Sequence, residues 1–230
     1  MTTDGPRLVV ALETSTRAPS VAASLDGGDV ALRILDGARS HASDLLLELE
    51  AAVAHVGATK DDLDLVVVGT GPGSYTGLRV GAATALGLHR GAGAALVAVP
   101  SFESIARRGL TTGDAGAVFA NAFGGQVYAA EYLRDDEGVV VPTVEPRCID
   151  AAAARQELEN ADIAFSDPGA LAAMGIDEAD VPASVRADVV ARADALLDLG
   201  RERFGARGAD DPGDVRPLYL RPFEVKTRAR

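Results

Sequence analysis

The sequence is poor in the residues that build disulfides, metal sites and stacking surfaces. It contains one cysteine, no tryptophan and three histidines among 230 residues, and aromatic side chains make up 4%. The lone Cys148 excludes an intrachain disulfide and, without a second cysteine, a zinc ribbon or a Cys-x-x-Cys redox site. The small aromatic content disfavours a surface on which single-stranded bases would stack. The core is therefore expected to consist of alanine, valine and leucine.

The three histidines are not spaced as metal ligands. A helical zinc pair needs two histidines four residues apart, but Leu45 stands at that distance after His41. Ala51 stands four residues before His55, and His89 belongs to another predicted helix. The sequence also shows no activated nucleophile that could catalyse a reaction without a metal. We therefore expect no catalytic residue, no metal and no cofactor, and no enzymatic activity from the chain alone.

Basic residues and long apolar runs are also scarce. The 34 acidic residues outnumber the 22 Lys and Arg, giving a net charge of −12. This balance argues against unaided nucleic-acid binding, which needs a basic face. No apolar run approaches the roughly 20 residues of a membrane helix, and the run 8–12 is too short for a signal segment. We expect a cytoplasmic protein that does not contact membranes.

The most informative stretch is a glycine-rich run after a short apolar segment. Residues 69–81 have the sequence GTGPGSYTGLRVG, and residues 65–68 are leucine and valine only. Such an apolar segment is typical of a strand buried on both faces, and the apolar residues that follow the run indicate a helix. The loop is therefore predicted at the carboxyl end of a strand, where α/β sheets place a ligand or a partner.

The glycine-rich run matches none of the common ligand motifs. It lacks the Lys of a phosphate-binding P-loop after Gly77, the third glycine of a dinucleotide fingerprint counted from Gly71, and the flanking glycines of a nucleophile elbow around Ser74. Two interpretations remain: a turn that lets another backbone or an anion approach closely, or a turn that binds nothing. The candidate ligand contacts in the loop are Gly71, Gly73, Ser74, Tyr75 and Thr76.

The order of predicted elements indicates the fold class. The first part of the chain is predicted to form strands 8–13, 20–25 and 30–35, a helix 40–56, a strand 65–68, a helix 76–89, a strand 94–99 and a helix beginning after residue 101. This is the order of the half-domain in the actin, hexokinase and Hsp70 class. We therefore expect an α/β protein with an RNase H-like sheet and two subdomains.

A second, smaller domain is expected after residue 108. Strands at 116–121, 126–133, 139–144 and 162–165 and helices at 151–160 and 186–204 are predicted there. The predicted domains are residues 1–108 and residues 109–230. The first of them contains the two helices, 40–56 and 76–89, that are candidates for binding a partner. The last part of the chain is predicted to be a loop and a tail that docks through Tyr219 and Leu220.

The first hairpin carries an acidic residue where nucleotide-binding proteins of this class hold phosphates. Here Glu13 is followed by Thr14 and Ser15. Glutamate is one methylene longer than the usual aspartate, and no glycine lets this turn approach a phosphate. A ligand site and a hydrogen-bonded hairpin end both remain open as interpretations.

The two helices beside the loop are candidates for a partner surface. In the first, Leu45, Leu49 and Ala52 follow the helical repeat of a core face. The opposite face contains Ser43, Leu47, Glu50 and Ala54. In the second, Gly77, Gly81 and Ala85 form a row of small residues, with Thr84 and Leu88 beside it. We predict that this row admits a partner helix, while packing within the chain is the alternative.

Several segments together resemble the bacterial TsaB family, also known as YeaZ. They are Glu13-Thr14-Ser15, Ser20-Val21-Ala22-Ala23, His41 with Leu45-Leu46, residues 71–81 (GPGSYTGLRVG) and residues 99–106 (VPSFESIA). The match is specific over residues 8–106. Beyond it, Gln126-Val127-Tyr128-Ala129 and Pro217-Leu218-Tyr219-Leu220-Arg221 are similar to further segments of the family.

The resemblance implies a non-catalytic subunit of the machinery that installs threonylcarbamoyl on the adenosine next to the anticodon of tRNA. In that machinery the relative TsaD performs the transfer and holds a metal through a His-x-x-x-His pair. TsaB binds TsaD through its two N-terminal helices, and the ATPase TsaE joins them. The partners expected from the resemblance are thus TsaD and TsaE homologues, with a homodimer in isolation and tRNA reached only through the complex. Leu45 stands four residues after His41, where the second histidine of such a pair would be. This agrees with TsaB being the subunit that does not hold the metal.

The sequence departs from the family pattern at three positions. Glu13 replaces an aspartate, and Asn121 and Gln126 replace an aspartate and a glutamate. A small ATP-dependent kinase and a glycoprotease-type metallopeptidase are the alternative functions. Any tRNA contact of this chain is expected from its arginine-rich end, namely Arg216, Arg221, Lys226, Arg228 and Arg230.

Overall fold

The fold is built on two five-stranded sheets, one in each of two lobes. The computed structural model describes residues 5–36 and 42–221. The first lobe contains β1 Leu8–Glu13, β2 Ser20–Leu25, β3 Val30–Ile34, α1 Ala42–His55, β4 Leu63–Gly69, α2 Tyr75–Ala92 and β5 Ala95–Val99. Its strand order is β3-β2-β1-β4-β5, with β1 antiparallel to β2 and parallel to β4. The predicted order of elements in this lobe is confirmed.

β1 lies at the centre of the first sheet and is buried on both faces. Its even-numbered residues, such as Val10, pack with α1 and α2, and its odd-numbered residues, such as Val9, pack with a helix from the end of the chain. Because side chains alternate along a strand, an unbroken apolar run is what a strand covered on both sides requires. Both partner-candidate helices therefore cover the same face of this sheet.

The second lobe contains the remaining sheet, in the order β10-β9-β6-β7-β8. Its elements are β6 Ala115–Phe123, β7 Gln126–Arg134, β8 Val140–Asp150, α4 Ala151–Asn160, β9 Ala164–Ser166, α5 Pro168–Ala173 and β10 Val185–Arg186. α4 and α5 pack on one face of this sheet. α3, Ser101–Gly109, packs on the other face through Phe102 and Ile105.

The last helix returns to the first lobe. α6, Ala193–Arg207, packs under the first sheet through residues such as Leu196 and Leu199. The division predicted at residue 108 separates the two sheets, whereas α6 lies beyond that division and packs with the first. The helix predicted from residue 186 begins only at Ala193, because Val189 and Ala191 pack as extended chain against the core around α3.

After α6, residues 208–221 form a strap along the edge of the first sheet. The Asp210 amide donates to the Leu96 carbonyl, and the Asp210 carboxylate accepts from the Ala98 amide, both at 2.8 Å. Further on, the Leu218 amide donates to the carbonyl of Thr70 in the glycine-rich loop. The predicted docking through Tyr219 is confirmed by its hydroxyl, which accepts from Arg79. None of the helices within residues 5–36 and 42–221 combines the length and the hydrophobicity that a membrane span requires.

Candidate functional site

The glycine-rich loop is closed over the turn that follows β1. The Ser74 amide donates to the carbonyl oxygen of Ser15 at 2.7 Å. A Cβ atom at Gly73 would overlap the same carbonyl, and Gly71 has the left-handed φ of +97° that favours glycine. Of the two sequence interpretations, close approach of another backbone is the one seen, and that backbone belongs to the chain itself.

Glu13 lies beneath this loop and is fully buried. Its Oε1 accepts from the Ser15 amide at 2.8 Å, while its Oε2 has no hydrogen-bond partner. A Cβ atom at Gly69 would overlap Oε2 and lie 2.9 Å from the Ser101 hydroxyl oxygen. Burial raises the pKa of Glu13, and the neighbouring polar groups of Ser15, Ser101 and Thr14 oppose the rise.

The acidic turn is not open to a ligand in this conformation. Glu13, Thr14 and Ser15 expose 0, 2 and 7% of their surface. The Oγ1 of Thr14 is also buried without a partner. The loop residues Ser74, Tyr75 and Thr76 are exposed, whereas Gly71 is buried. A phosphate could reach the carboxyl end of β1 only if the loop moved away.

Glu13 makes the stability of the protein depend on pH. Its folded-state pKa is raised, so ionisation in the native state costs stability as pH rises above the unfolded-state pKa of about 4.3. We expect Glu13→Gln to gain stability over the wild type progressively as the pH rises above about 4.3. The gain is measured as a growing difference in Tm, of about 2 to 4 °C for each kcal/mol. Glu137→Gln removes an exposed carboxylate and is the matched control. A difference in Tm that stays constant with pH would contradict the expectation.

The row of small residues on α2 faces inward, so the prediction that it admits a partner helix is wrong. Cβ atoms at Gly77 and Gly81 would overlap the carbonyl oxygen and the hydroxyl of Thr14. Ala85 is fully buried in the core of the first lobe. The glycines are needed because α2 packs directly against the turn after β1, which was the alternative interpretation.

The outward faces of α1 and α2 carry other small and apolar residues. On α1, Leu46 and Leu47 are 49 and 63% exposed, with Glu50, Ala51 and Ala54 also exposed. On α2 the exposed positions include Thr76, Arg79, Ala83, Gly87, Arg90 and Gly91. Since both helices cover one face of the sheet, these positions point to the same side. We call them the helical face.

The helical face agrees only in part with the residues predicted from sequence. Leu47, Glu50 and Ala54 belong to it, whereas Thr84 and Leu88 are half-buried. The side chain of Ser43 lies outside the described residues. Leu46, Ala83 and Gly87 also belong to it and were not among the predicted residues, although their spacing from the buried stripes of the two helices would have located them.

No histidine cluster accompanies these helices in the described chain. His41 lies outside the described residues, and His89 contacts the Ala94 carbonyl with its Nδ1 at 2.7 Å, just past the end of α2. Within residues 5–36 and 42–221 no three His, Cys, Asp or Glu side chains are grouped to hold a metal ion.

Comparison with known proteins identifies the family. A family model described as TsaD: tRNA N6-adenosine threonylcarbamoyltransferase matches residues 36–190. The tRNA threonylcarbamoyladenosine biosynthesis protein TsaB of Escherichia coli is 33% identical over 133 residues, 57% of this chain and 57% of that protein. The chain belongs to the TsaB (YeaZ) family. An uncharacterized protein of Mycobacterium tuberculosis is 34% identical to this TsaB-family chain over 226 residues, 96% of this chain and 95% of the other.

Solved structures confirm the predicted fold class. YeaZ from Pseudomonas aeruginosa superposes with a TM-score of 0.75 at 20% sequence identity, over 93% of this chain and 100% of that one. The two-lobed α/β fold is therefore shared with YeaZ. The alignment with TsaB of Escherichia coli spans little more than half of that protein.

Proposed function

We propose that this TsaB-family chain is a non-catalytic subunit in the synthesis of threonylcarbamoyladenosine in tRNA, and that it binds a TsaD-type transferase through the helical face. The observation that carries the proposal is the exposure of Leu46 and Leu47 on a helix whose opposite side is core. The exposed side chains of the two adjacent leucines contribute little burial free energy to the isolated chain. A partner that covered them would remove their apolar surface from water, which would stabilise the complex.

The helical face has the composition of a close helix contact. Ala51 and Ala54 on α1 and Ala83 and Gly87 on α2 have little or no side chain, and a Cβ atom at Gly87 would meet nothing within 4 Å. Small residues let the backbone of a second helix approach closely. A pair of helices from the partner would complete a four-helix arrangement on this face.

The covered acidic turn supports a binding role over an ATP-dependent one. A kinase of this fold class would need its phosphates to reach Glu13, Thr14 and Ser15, and all three are buried under the loop. The wider assembly that we propose includes a TsaE-type ATPase. Without TsaD, the helical face is also available to pair two copies of this chain with each other.

Leu47→Glu tests the proposed interface. We expect it to weaken binding to the TsaD protein of the same organism by about 5- to 150-fold, because a charge would be buried in an apolar contact at a cost of about 1 to 3 kcal/mol. Isothermal calorimetry measures the affinity. The matched control is Val141→Glu, at another exposed apolar position, on the edge strand β8, which should bind normally. Equal affinity of the two variants would refute the proposed interface.

A further inference from the structure

Each of the two sheets ends in two edge strands, and three of these four edges are protected against pairing with another chain. The strap covers the outer side of β5, because Asp210 bonds to the backbone of Leu96 and Ala98. β8 contains Pro142 and Pro146, which have no N–H, and its register with β7 is irregular. β10 is 2 residues long. Covering, proline, irregular pairing and short length are the usual means by which sheets protect their edges.

β3 is the fourth edge, and it has none of these protections within residues 5–36 and 42–221. It pairs with β2 in a regular antiparallel register, which the bond from the Leu35 amide to the Pro19 carbonyl extends by one residue. Hydrogen-bonded residues alternate along an antiparallel strand. The odd-numbered residues of β3 therefore bond to β2. The residues at 30, 32 and 34 direct their amides and carbonyls outward.

One face of this edge is apolar. Val30 and Ile34 are 49 and 56% exposed, and Leu32 between them is half-buried against the core that α6 covers. Because side chains alternate along a strand, these three side chains lie on the same face of β3. A strand added to β3 would cover the two exposed side chains while it paired with the outward backbone groups.

The other face of this edge carries opposite charges. Arg33 shares this face with Ala31, which packs in the core under α1, and the Arg33 Nε is buried without a hydrogen-bond partner in the described chain. Asp29, just before the strand, is exposed and lines a hollow together with residues such as His55 at the end of α1. Arg33 and Asp29 are four residues apart on extended chain, roughly 13 Å, so they do not pair with each other.

We propose that β3 pairs in antiparallel orientation with β3 of a second copy of this chain, so that the two first sheets become one continuous sheet. A two-fold axis at Leu32 places Val30 of each copy opposite Ile34 of the other. In this register all three outward residues of each copy are hydrogen-bonded, whereas a shift by two residues would leave one of them unpaired. The contact is self-complementary, as a two-fold interface requires.

The same register brings the opposite charges together. Arg33 comes opposite Ala31 of the second copy, and Asp29 of that copy is its diagonal neighbour, within reach of a long side chain. The small Ala31 leaves space for the guanidinium. A second copy therefore supplies the apolar pairs and the ion pairs twice, and this charge complementarity favours it over an unrelated extended segment. The edge is separate from the helical face, so the inference does not depend on the proposed function.

Sedimentation velocity of the full chain over a concentration series tests the pairing. Leu47→Glu is the background, because it disables the helical face, through which two copies could also pair. We expect a reversible dimer in this background. Ile34→Lys should weaken it by about tenfold or more, because each dimer loses two apolar contacts and gains two charges at the edge. Val141→Lys, at another exposed apolar position on an edge strand, is the matched control and should dimerise normally.

Charge reversal tests the register. Asp29→Arg should weaken the dimer by about fivefold, because both cross-strand ion pairs become repulsive. Adding Arg33→Asp should restore the affinity, since the charges are then exchanged in both copies. Hydrogen exchange measured by NMR needs no substitution in β3. The amides at 30, 32 and 34 should exchange more slowly as the protein concentration rises, while those at 31 and 33, already bonded to β2, should not change.

Absence of a dimer in the Leu47→Glu background would overturn the proposal. A dimer that neither Ile34→Lys nor Asp29→Arg weakens would also overturn it, as would exchange at 30, 32 and 34 that does not depend on concentration. A folded Asp29→Arg and Arg33→Asp double variant without recovered affinity would overturn the register and with it the pairing. Binding of the TsaD protein is measured separately by calorimetry, so its failure would reject the proposed function alone.

Discussion

Gly77→Ala is expected to destabilise the protein strongly, whereas Gly87→Ala in the same helix is expected to stabilise it. A methyl group at Gly77 would overlap the carbonyl oxygen of Thr14, a backbone atom that cannot move without distorting the turn after β1. Overpacking of this kind costs about 1 to 3 kcal/mol or somewhat more. Gly87 is open to solvent, so alanine there gains about 0.5 to 1 kcal/mol of helix propensity.

Urea unfolding of the two variants measures this difference directly. Both substitutions add one methyl group to α2, so the helix propensity gained is similar and the contrast isolates the contact with Thr14. Gly81→Ala should behave like Gly77→Ala, because its Cβ atom would overlap the Thr14 hydroxyl. If Gly77→Ala proved as stable as Gly87→Ala, the close packing of α2 on the turn would be wrong.

Arg203→Met is expected to cost about 3 to 5 kcal/mol, because it leaves a buried carboxylate unpaired. Arg203, on α6, donates to both carboxylate oxygens of Glu103, on α3, at 2.6 Å. Glu103 is only 4% exposed, and burial raises its pKa although Arg203 lowers it. The pair joins the helix that covers the second sheet to the helix that covers the first.

The loss in Arg203→Met should grow with pH. Without the guanidinium the folded-state pKa of Glu103 rises further, so the cost is small below the unfolded-state value of about 4.3 and increases above it. Adding Glu103→Gln should recover much of the stability, because no buried charge remains. Arg155→Met breaks the exposed pair with Glu159 and should cost less than about 1 kcal/mol. Similar losses of stability for Arg203→Met and Arg155→Met would contradict the expectation that the buried pair contributes more than the exposed one.

Local patterns predicted the elements of the first lobe because its signals are short-range. The unbroken apolar runs of β1 and β4 indicate strands buried on both faces, and the repeat through Leu45, Leu49 and Ala52 indicates the core face of α1. Leu47 could be placed on the opposite face by the same repeat, and its exposure agrees. The start of α6 was predicted too early, because residues 187–192 contain enough apolar residues for a helix but are irregular chain, of which Val189 and Ala191 pack on the core around α3.

The orientation of α2 could not be predicted from its own residues. Apolar side chains surround the helix, so the periodicity does not select a buried face. The tertiary contact selects it: Gly77 and Gly81 are the positions where the turn after β1 approaches the helix axis. The same contact covers Glu13 with the glycine-rich loop.

The fold class and the family could be predicted from the sequence, because alternating and helical apolar repeats and contiguous motifs are properties of neighbouring residues. Which face of α2 is free, and which residues meet across the chain, depends on tertiary contacts. Tyr219 reaches Tyr75 and Arg79 from 140 residues beyond Arg79, and Arg221 reaches the hairpin at Phe123 from 98 residues away. Such contacts depend on how the strap passes around the sheet, which no local pattern of residues specifies.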